Sequence, residues 1–296
     1  MAANGTASWT NVNREPAARR RTRAGNPLQG PGPVLFGILN VTSDSFSDGG
    51  DFFDPEAAAR RAEVLLDEGA LVVDVGGEST RPGSDRVPEE EERRRVVPVV
   101  QKFLEARPEA LVSVDTYRAR TAEAALDAGA RIVNDVTALR GDPRMAALVA
   151  DAGCPVVLMH MLGEPKTMQR EPSYGDVVRE VRDFLAQRAD HANAAGVDAE
   201  NVVLDPGIGF GKTPGHNLAL LRHLGAIVDL GFPVLVGASR KKFIGSITGA
   251  EEAKDRVFGT VATTVLGYER GATLFRVHDV RANREALAVA EAIRSA

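Results

Sequence analysis

Polar residues recur along this chain directly after short apolar runs: Asn40, the string GGESTRPG (76–83), Asp115, Asn134 with Asp135, His160, Asp205 before PGIGFGKTP, SRKK (239–242), and Arg276 with His278. Three of them, Asp115, Asn134 and Asp205, have the carboxylate and carboxamide groups that read the donor–acceptor edge of a planar heterocycle. Lys241, Arg276 and His278 carry or can carry positive charge, which suits an anionic group such as a phosphate. Asn40, with Asp44 and Asp48 nearby, offers oxygen ligands of the kind Mg²⁺ accepts while it keeps phosphate and water. A heterocycle held deep and a Mg²⁺-bound (pyro)phosphate at the rim imply chemistry in which phosphate is the leaving group.

These residues need a frame that brings them to one place. From about residue 33 the sequence alternates short β-branched runs with alanine-, leucine- and charge-rich stretches of helical spacing. The runs are 33–40, 70–77, 111–115, 131–135, 155–160, 202–207, 233–239 and 274–278. Each reads as a strand buried on both faces, as in a parallel sheet. Helices are expected between them, for example over 55–70 and 174–196. Several of these stretches stop at Gly-Ala or Ala-Gly pairs. Eight strands alternating with eight helices define a TIM (β/α)₈ barrel, an α/β fold whose sites lie at the C-terminal strand ends. A doubly wound open sheet is the main alternative, but no G-x-G-x-x-G follows the first strand. In the barrel all eight polar clusters converge on one mouth, which suggests an enzyme. The loops after the first two strands, SDSFSDGG and GGESTRPGSD, are long and polar enough to close over it.

Composition narrows the class further. A net charge of −5, from 36 basic and 41 acidic residues, gives no support to nucleic-acid binding. No apolar run approaches the roughly 20 residues needed to span a bilayer, and no secretory signal opens the chain, so a cytoplasmic protein with no membrane partner is expected. The single cysteine, Cys154, precedes an apolar run and reads as a small buried thiol. Residues 1–32 hold Arg14, Arg19, Arg20, Arg21 and Arg23 without a periodic apolar face; a disordered tail is expected there, and a single barrel domain over 33–296.

Several residues have a plainer reading. Asp115 with Thr116 could cap the following helix. His160 reads as a satisfied core histidine, EEEERRR (89–95) as a solvated helix face, and GFGK (209–212) as no phosphate loop, because the full G-x-x-x-x-G-K-[ST] frame is not met.

Taken in order, GILNVTSDSFSDGG (37–50), DVGGESTRPGS (74–84), SVDT (113–116), IVNDV (132–136), VLMHMLGEPKTMQ (157–169), DPGIGFGKTPGHN (205–217), PVLVGASRKKFIG (233–245) and RVHDV (276–280) resemble the dihydropteroate synthases, pterin-binding enzymes of folate biosynthesis. The likeness runs from about residue 33 to the C-terminus. It implies condensation of 6-hydroxymethyl-7,8-dihydropterin diphosphate with 4-aminobenzoate, with Mg²⁺, to give 7,8-dihydropteroate and diphosphate. Carried over by position, it implies that Asp115, Asn134, Asp205 and Lys241 hold the pterin ring and that Met159 lines its face. Arg276 and His278 match the diphosphate site, and Asn40 the Mg²⁺ ligand. Phe46 and Asp48 in the first loop, and Thr80, Arg81 and Pro82 in the second, match the loops that form the aminobenzoate pocket, with Phe210 bordering it. Asp48, Arg81, Lys241, Arg276 and His278 are then the catalytic set. The resemblance also implies a homodimer and competition by sulfonamides. Ser43 replaces a usual proline, which should loosen the first loop. Lys242 stands where many members have serine or arginine, near the aminobenzoate carboxylate. A pterin-dependent methyltransferase and a catalytically silent pterin-binding paralogue are the rival readings; the STRPG loop and SRK with RVHD favour diphosphate departure, and no B₁₂ domain is present.

Overall fold

A computed structural model describes residues 26, 28, 30, 32–42, 54–79, 83–164 and 166–296. Among the described residues eight parallel strands alternate with helices. They run β1 (Val34–Asn40), α1 (Pro55–Asp67), β2 (Val72–Gly76), α2 (Glu89–Ala106), β3 (Leu111–Asp115), α3 (Ala119–Asp127), β4 (Ile132–Asp135), α4 (Met145–Ala152), β5 (Val156–Met159) and α5 (Val177–Ala194). The second half continues with β6 (Val202–Asp205), α6 (Pro214–Arg222), α7 (Gly225–Val228), β7 (Leu235–Val236), α8 (Lys242–Thr248), α9 (Val257–Glu269), β8 (Leu274–Val277) and α10 (Val280–Ser295). The sheet order is β6-β5-β4-β3-β2-β1-β8-β7, and a parallel bridge between Leu204 and Val234 closes it. This is the TIM barrel that the alternation predicts. The last two connections between strands each carry two helices where one is expected. The β7 ladder is also shorter than 233–239.

Side-chain alternation along a strand explains what fills the barrel. Val34, Phe36, Val72, Ile132, Val157, Val203, Leu235 and Leu274 form one buried apolar cluster, with Leu111 packed against it. Leu28 joins that cluster and is 2% exposed. The Asn26 amide also reaches the Glu200 carbonyl at 2.5 Å, so the chain just before β1 is tied to the barrel.

Two residues beyond most members of this apolar layer, on the same strand face, the side chains change character, although on β1 the step from Phe36 reaches the apolar Ile38. Val72 leads to Asp74, Ile132 to Asn134, Val157 to Met159, Val203 to Asp205 and Leu274 to Arg276. On β7 the step from Leu235 reaches Gly237, where an added Cβ would lie 3.7 Å from Asp205 Oδ2 and 3.9 Å from the Arg276 Cβ. Apolar burial below thus stabilises the barrel, and the layer above it is left for polar groups.

Two plain readings meet different outcomes. His160 is buried and bonded, as expected. The 89–95 segment is not wholly a solvated face: Glu92 is 1% exposed. It shares the inward stripe of α2 with Val96, Val99, Val100 and Phe103. There it accepts from Arg118 Nη1 at 2.6 Å and Thr121 Oγ1 at 3.0 Å. Helical spacing puts the fourth residue of a charge run on the apolar stripe, and the half-buried Arg118 makes that position tenable.

Candidate active site

The strand register assembles the mouth. Asn40 on β1 is the partner of Gly76 on β2, Gly76 of Asp115 on β3, and Asp115 of Asn134 on β4. Met159 on β5 pairs with Asp205 on β6. A Cβ on Gly76 would sit 3.4 Å from that of Asp115, so the glycine leaves space beside the carboxylate. Asp115, Asn134, Met159 and Asp205 are all buried, and Asn40 is half-buried at the rim.

Arg276 rises from β8 into this ring. Its Nε donates to Asp74 Oδ2 at 2.5 Å and its Nη2 to Asp115 Oδ2 at 2.7 Å. Asp74 also accepts from Asn134 Nδ2 at 3.1 Å. Burial drives the Asp115 pKa up to about 7, against the pull of Arg276 and with the help of Asp74. Arg276 is held above its ordinary value: burial opposes its charge, but the two carboxylates outweigh that.

Lys241 faces Arg276 from the N-terminal edge of α8. Its Nζ donates to the Ile208 carbonyl and stands 4.2 Å from the centre of the Phe210 ring. Burial lowers its pKa to about 7, with Asp205 and Asp115 opposing the shift. Asp205 is raised by burial, against Lys241 and the Gly207 N–H that it accepts at 2.6 Å. Above Arg276 on β8, His278 places Nδ1 2.9 Å from Ser239 Oγ, which itself accepts from the His278 N–H at 3.1 Å. The two contacts fix the orientation of the imidazole over the mouth, with Nδ1 engaged by the serine and Nε2 on the other edge of the ring.

The structure thus brings together Asp115, Asn134, Met159, Asp205, Phe210, Lys241, Arg276 and His278 at the mouth, with Asn40 at its edge. Phe46, Asp48, Thr80, Arg81 and Pro82 lie outside the described residues, as do Ser43, Asp44 and the arginine-rich part of the tail. Asp115 does not cap α3; Thr116 Oγ1 takes the Arg118 N–H at 3.1 Å. Asp135 turns away from the mouth and organises its own loop, accepting from the Thr137 and Leu139 N–H groups at 2.8 Å each. Beside the site Val136, Met159, Met161 and Met168 form an apolar cluster with Tyr117 and Phe210 against it. A cleft of about 320 Å³ opens there, lined in part by Glu78, Arg86, Tyr117, Arg140 and Met161.

Two residues escaped the reading of the motifs. Asp74 lies within the run VVDVGG, and a carboxylate in a strand buried on both faces is itself the signal. Lys212 is only 3% exposed, and its Nζ contacts His160 Nδ1 at 2.9 Å and donates to the carbonyls of Phe210 at 3.0 Å and His160 at 3.4 Å. Burial lowers the Lys212 pKa to about 7, and these three contacts hold the amine inside. The GFGK segment is a loop whose Phe210 carbonyl accepts from Lys212 and whose neighbouring Ile208 carbonyl accepts from Lys241.

Among the described residues no group of three His, Cys, Asp or Glu could cage a metal. Asn40 supplies one amide oxygen at the rim. That fits Mg²⁺ delivered with a diphosphate, because this ion commonly takes one or two protein ligands and fills its shell with phosphate and water.

A closed (β/α)₈ barrel with a buried polar ring and cationic groups at its C-terminal mouth defines the class, and comparison with known proteins agrees. The chain belongs to the family described as pterin binding enzyme, which matches residues 36–278. Relatives within that family include dihydropteroate synthases. That of Mycobacterium leprae is 49% identical over 261 residues, covering 86% of this chain and 91% of the relative. The Xanthomonas albilineans dihydropteroate synthase solved with 4-aminobenzoic acid superposes with a TM-score of 0.85 at 48% identity, covering 90% of this chain and 94% of that one. The same enzyme in complex with 7,8-dihydropteroate gives a TM-score of 0.82 at 45% identity, covering 90% and 95%.

Proposed function

We propose that this chain is a dihydropteroate synthase, which joins 6-hydroxymethyl-7,8-dihydropterin diphosphate to 4-aminobenzoate and releases diphosphate. The observation that carries this reading is the polar layer of Asp115, Asn134, Asp205 and Arg276 directly above an apolar plug, with Lys241 and His278 over it. Asp115, Asn134, Asp205 and Lys241 would grip the pterin edge, and Met159 would pack on its face. Arg276 and the imidazole of His278 would hold the diphosphate, with Asn40 as the protein ligand of Mg²⁺. Bound there, Mg²⁺ would neutralise charge on the leaving group.

In this reaction the bond between the exocyclic CH₂ and the diphosphate oxygen breaks, and its electron pair leaves with diphosphate. The cation left behind is delocalised over the dihydropterin and faces the Asp115 and Asp205 carboxylates. The neutral aromatic amine attacks the CH₂ and then loses a proton, so the first step requires no strong base. Phe46, Asp48, Thr80, Arg81 and Pro82 would complete the aminobenzoate pocket with Phe210 and keep water from the cation. We further assign catalysis to the barrel, residues 33–296, acting as a cytoplasmic homodimer.

The test is diphosphate release from the dihydropterin diphosphate with Mg²⁺, with and without 4-aminobenzoate, on wild type and Arg81→Ala. The synthase reading requires that the amine drives release, that dihydropteroate appears, and that the variant fails. Pterin binding without release would point to the silent paralogue or a methyltransferase.

A pH profile gives a second check. Below about 7 Asp115 is protonated and no longer accepts from the pterin with full charge; above about 7 Lys241 loses its proton. Because kcat/KM reports the free enzyme, it should follow a narrow bell centred near neutrality, with limbs belonging to the coupled cluster. Asp115→Asn should flatten the acid limb. A broad plateau from pH 5 to 9 would contradict this account.

A further inference from the structure

Asp74 has no part in the assignments above, yet it touches two residues that do. It is fully buried in the middle of β2, flanked in register by Ile38 and Ser113. A single oxygen, Oδ2, accepts from both Arg276 Nε at 2.5 Å and Asn134 Nδ2 at 3.1 Å. Its Oδ1 and the Oδ1 of Asp115 are buried without a hydrogen-bond partner among the described residues. A buried carboxylate is costly to keep unless it orders something.

With no ligand, Arg276 is shared between two carboxylates. The trio of Asp74, Asp115 and Arg276 therefore sums to one negative charge when both acids are ionised, which opposes entry of an anion. A pterin that donates its N–H groups to Asp115 competes with the Arg276 Nη2 for the same carboxylate. Once displaced, the guanidinium still has its Nε on Asp74, so its other nitrogens can turn to the diphosphate while the stem stays in place. The bond from Asn134 Nδ2 to Asp74 also decides the amide's orientation: its oxygen is the end left for a ligand N–H.

We propose that Asp74 is a positioning residue that holds Arg276 while the pterin takes Asp115, so that pterin and diphosphate recognition are coupled through one guanidinium. This rests on the synthase reading and adds to it a residue and a coupling.

The experiment measures affinities by calorimetry on the full chain, using 6-hydroxymethyl-7,8-dihydropterin and inorganic diphosphate with Mg²⁺, each alone and in the presence of the other. In the wild type each should tighten the other by about fivefold or more, the scale of ordinary coupling between sites. In Asp74→Asn the trio loses its excess negative charge, so diphosphate alone should bind about 3- to 10-fold tighter. The pterin should bind about 10- to 100-fold weaker, because Asp115 is then the sole carboxylate holding Arg276 and the amide of Asn134 is no longer fixed. The mutual tightening should disappear. In an Arg276→Met background Asp74→Asn should change diphosphate affinity by less than about twofold, as expected for a residue acting through Arg276.

Opposite movement of the two affinities is the decisive sign, since a purely structural role would weaken both together, and that result overturns the proposal. Wild-type protein that catalyses the condensation but shows no mutual tightening overturns it as well, without any variant having to fold. Wild type that neither binds the pterin nor releases diphosphate from its diphosphate ester removes the synthase reading first, and this inference with it.

Discussion

Arg276→Met should lower kcat for diphosphate release by about 10²- to 10³-fold, the usual effect of removing one preorganised donor from developing negative charge. The same change should destabilise the fold, and the two effects have different pH dependence. Arg276 is the ion-pair partner of both Asp74 and Asp115, at 2.5 and 2.7 Å. Removing one member of a buried pair strands the other charge at a cost of about 3–5 kcal/mol. In a barrel of this size that is a fall in Tm on the order of 6–20 °C. The stranded carboxylates can escape the penalty by binding protons. Asp115 already sits above its unfolded value, at about 7 against 3.8, so its contribution to stability is full below 3.8 and is lost as pH rises through 7. Without Arg276 its pKa rises further, and the deficit relative to wild type grows with pH. Thermal melts at pH 5 and pH 8 should show the larger gap at pH 8, whereas the loss in kcat should persist at both. A deficit that shrinks as pH rises would mean that these carboxylates are not the groups left uncompensated.

The sequence made the barrel readable because its eight apolar runs are short and buried on both faces, and a parallel sheet needs that pattern. Placement of Asp115, Asn134 and Asp205 follows almost by counting: they end their runs, and the barrel rule sends such ends to one mouth. Counting does not reveal where a long side chain goes. Lys241 and Lys212 both stand near polar strand ends, but one turns to Asp205 and the Phe210 ring and the other down to His160. Those directions depend on which acceptors the neighbouring loops present. Asp74 was concealed differently, as a polar residue inside a run classified by its apolar neighbours. Glu92 shows the reverse error, a buried residue inside a charge run whose outer members are solvated. In both cases the average of a segment hid the one position whose surroundings depart from it.

Gly207→Ala should damage activity more than any other conservative change in the loop after β6. Gly207 has φ of +65°, a region that costs an L-residue about 1–2 kcal/mol. Space is the larger obstacle: a Cβ there would be built onto the backbone carbonyl oxygen of His160, well inside van der Waals contact. Backbone cannot rotate away as a side-chain tip can, so either the end of β5 or the Gly207–Gly211 loop must move. Each movement reaches the site. The Gly207 N–H is the donor that fixes Asp205 Oδ1 at 2.6 Å, and its carbonyl accepts from the Phe210 N–H at 3.0 Å. The Ile208 carbonyl holds Lys241. A shift on the order of 1 Å in groups that position substrate costs about 10²-fold. We expect at least that loss in kcat/KM for the dihydropterin diphosphate, with a smaller change in KM for 4-aminobenzoate. Gly225→Ala is the control, since its added Cβ meets nothing within 4 Å and its φ is ordinary. It lies at the start of α7, where alanine is favoured over glycine by up to about 1 kcal/mol. Wild-type kinetics from Gly207→Ala would show that the loop does not set Asp205 and Lys241, and the assignment of the pterin edge to those two residues would have to be withdrawn.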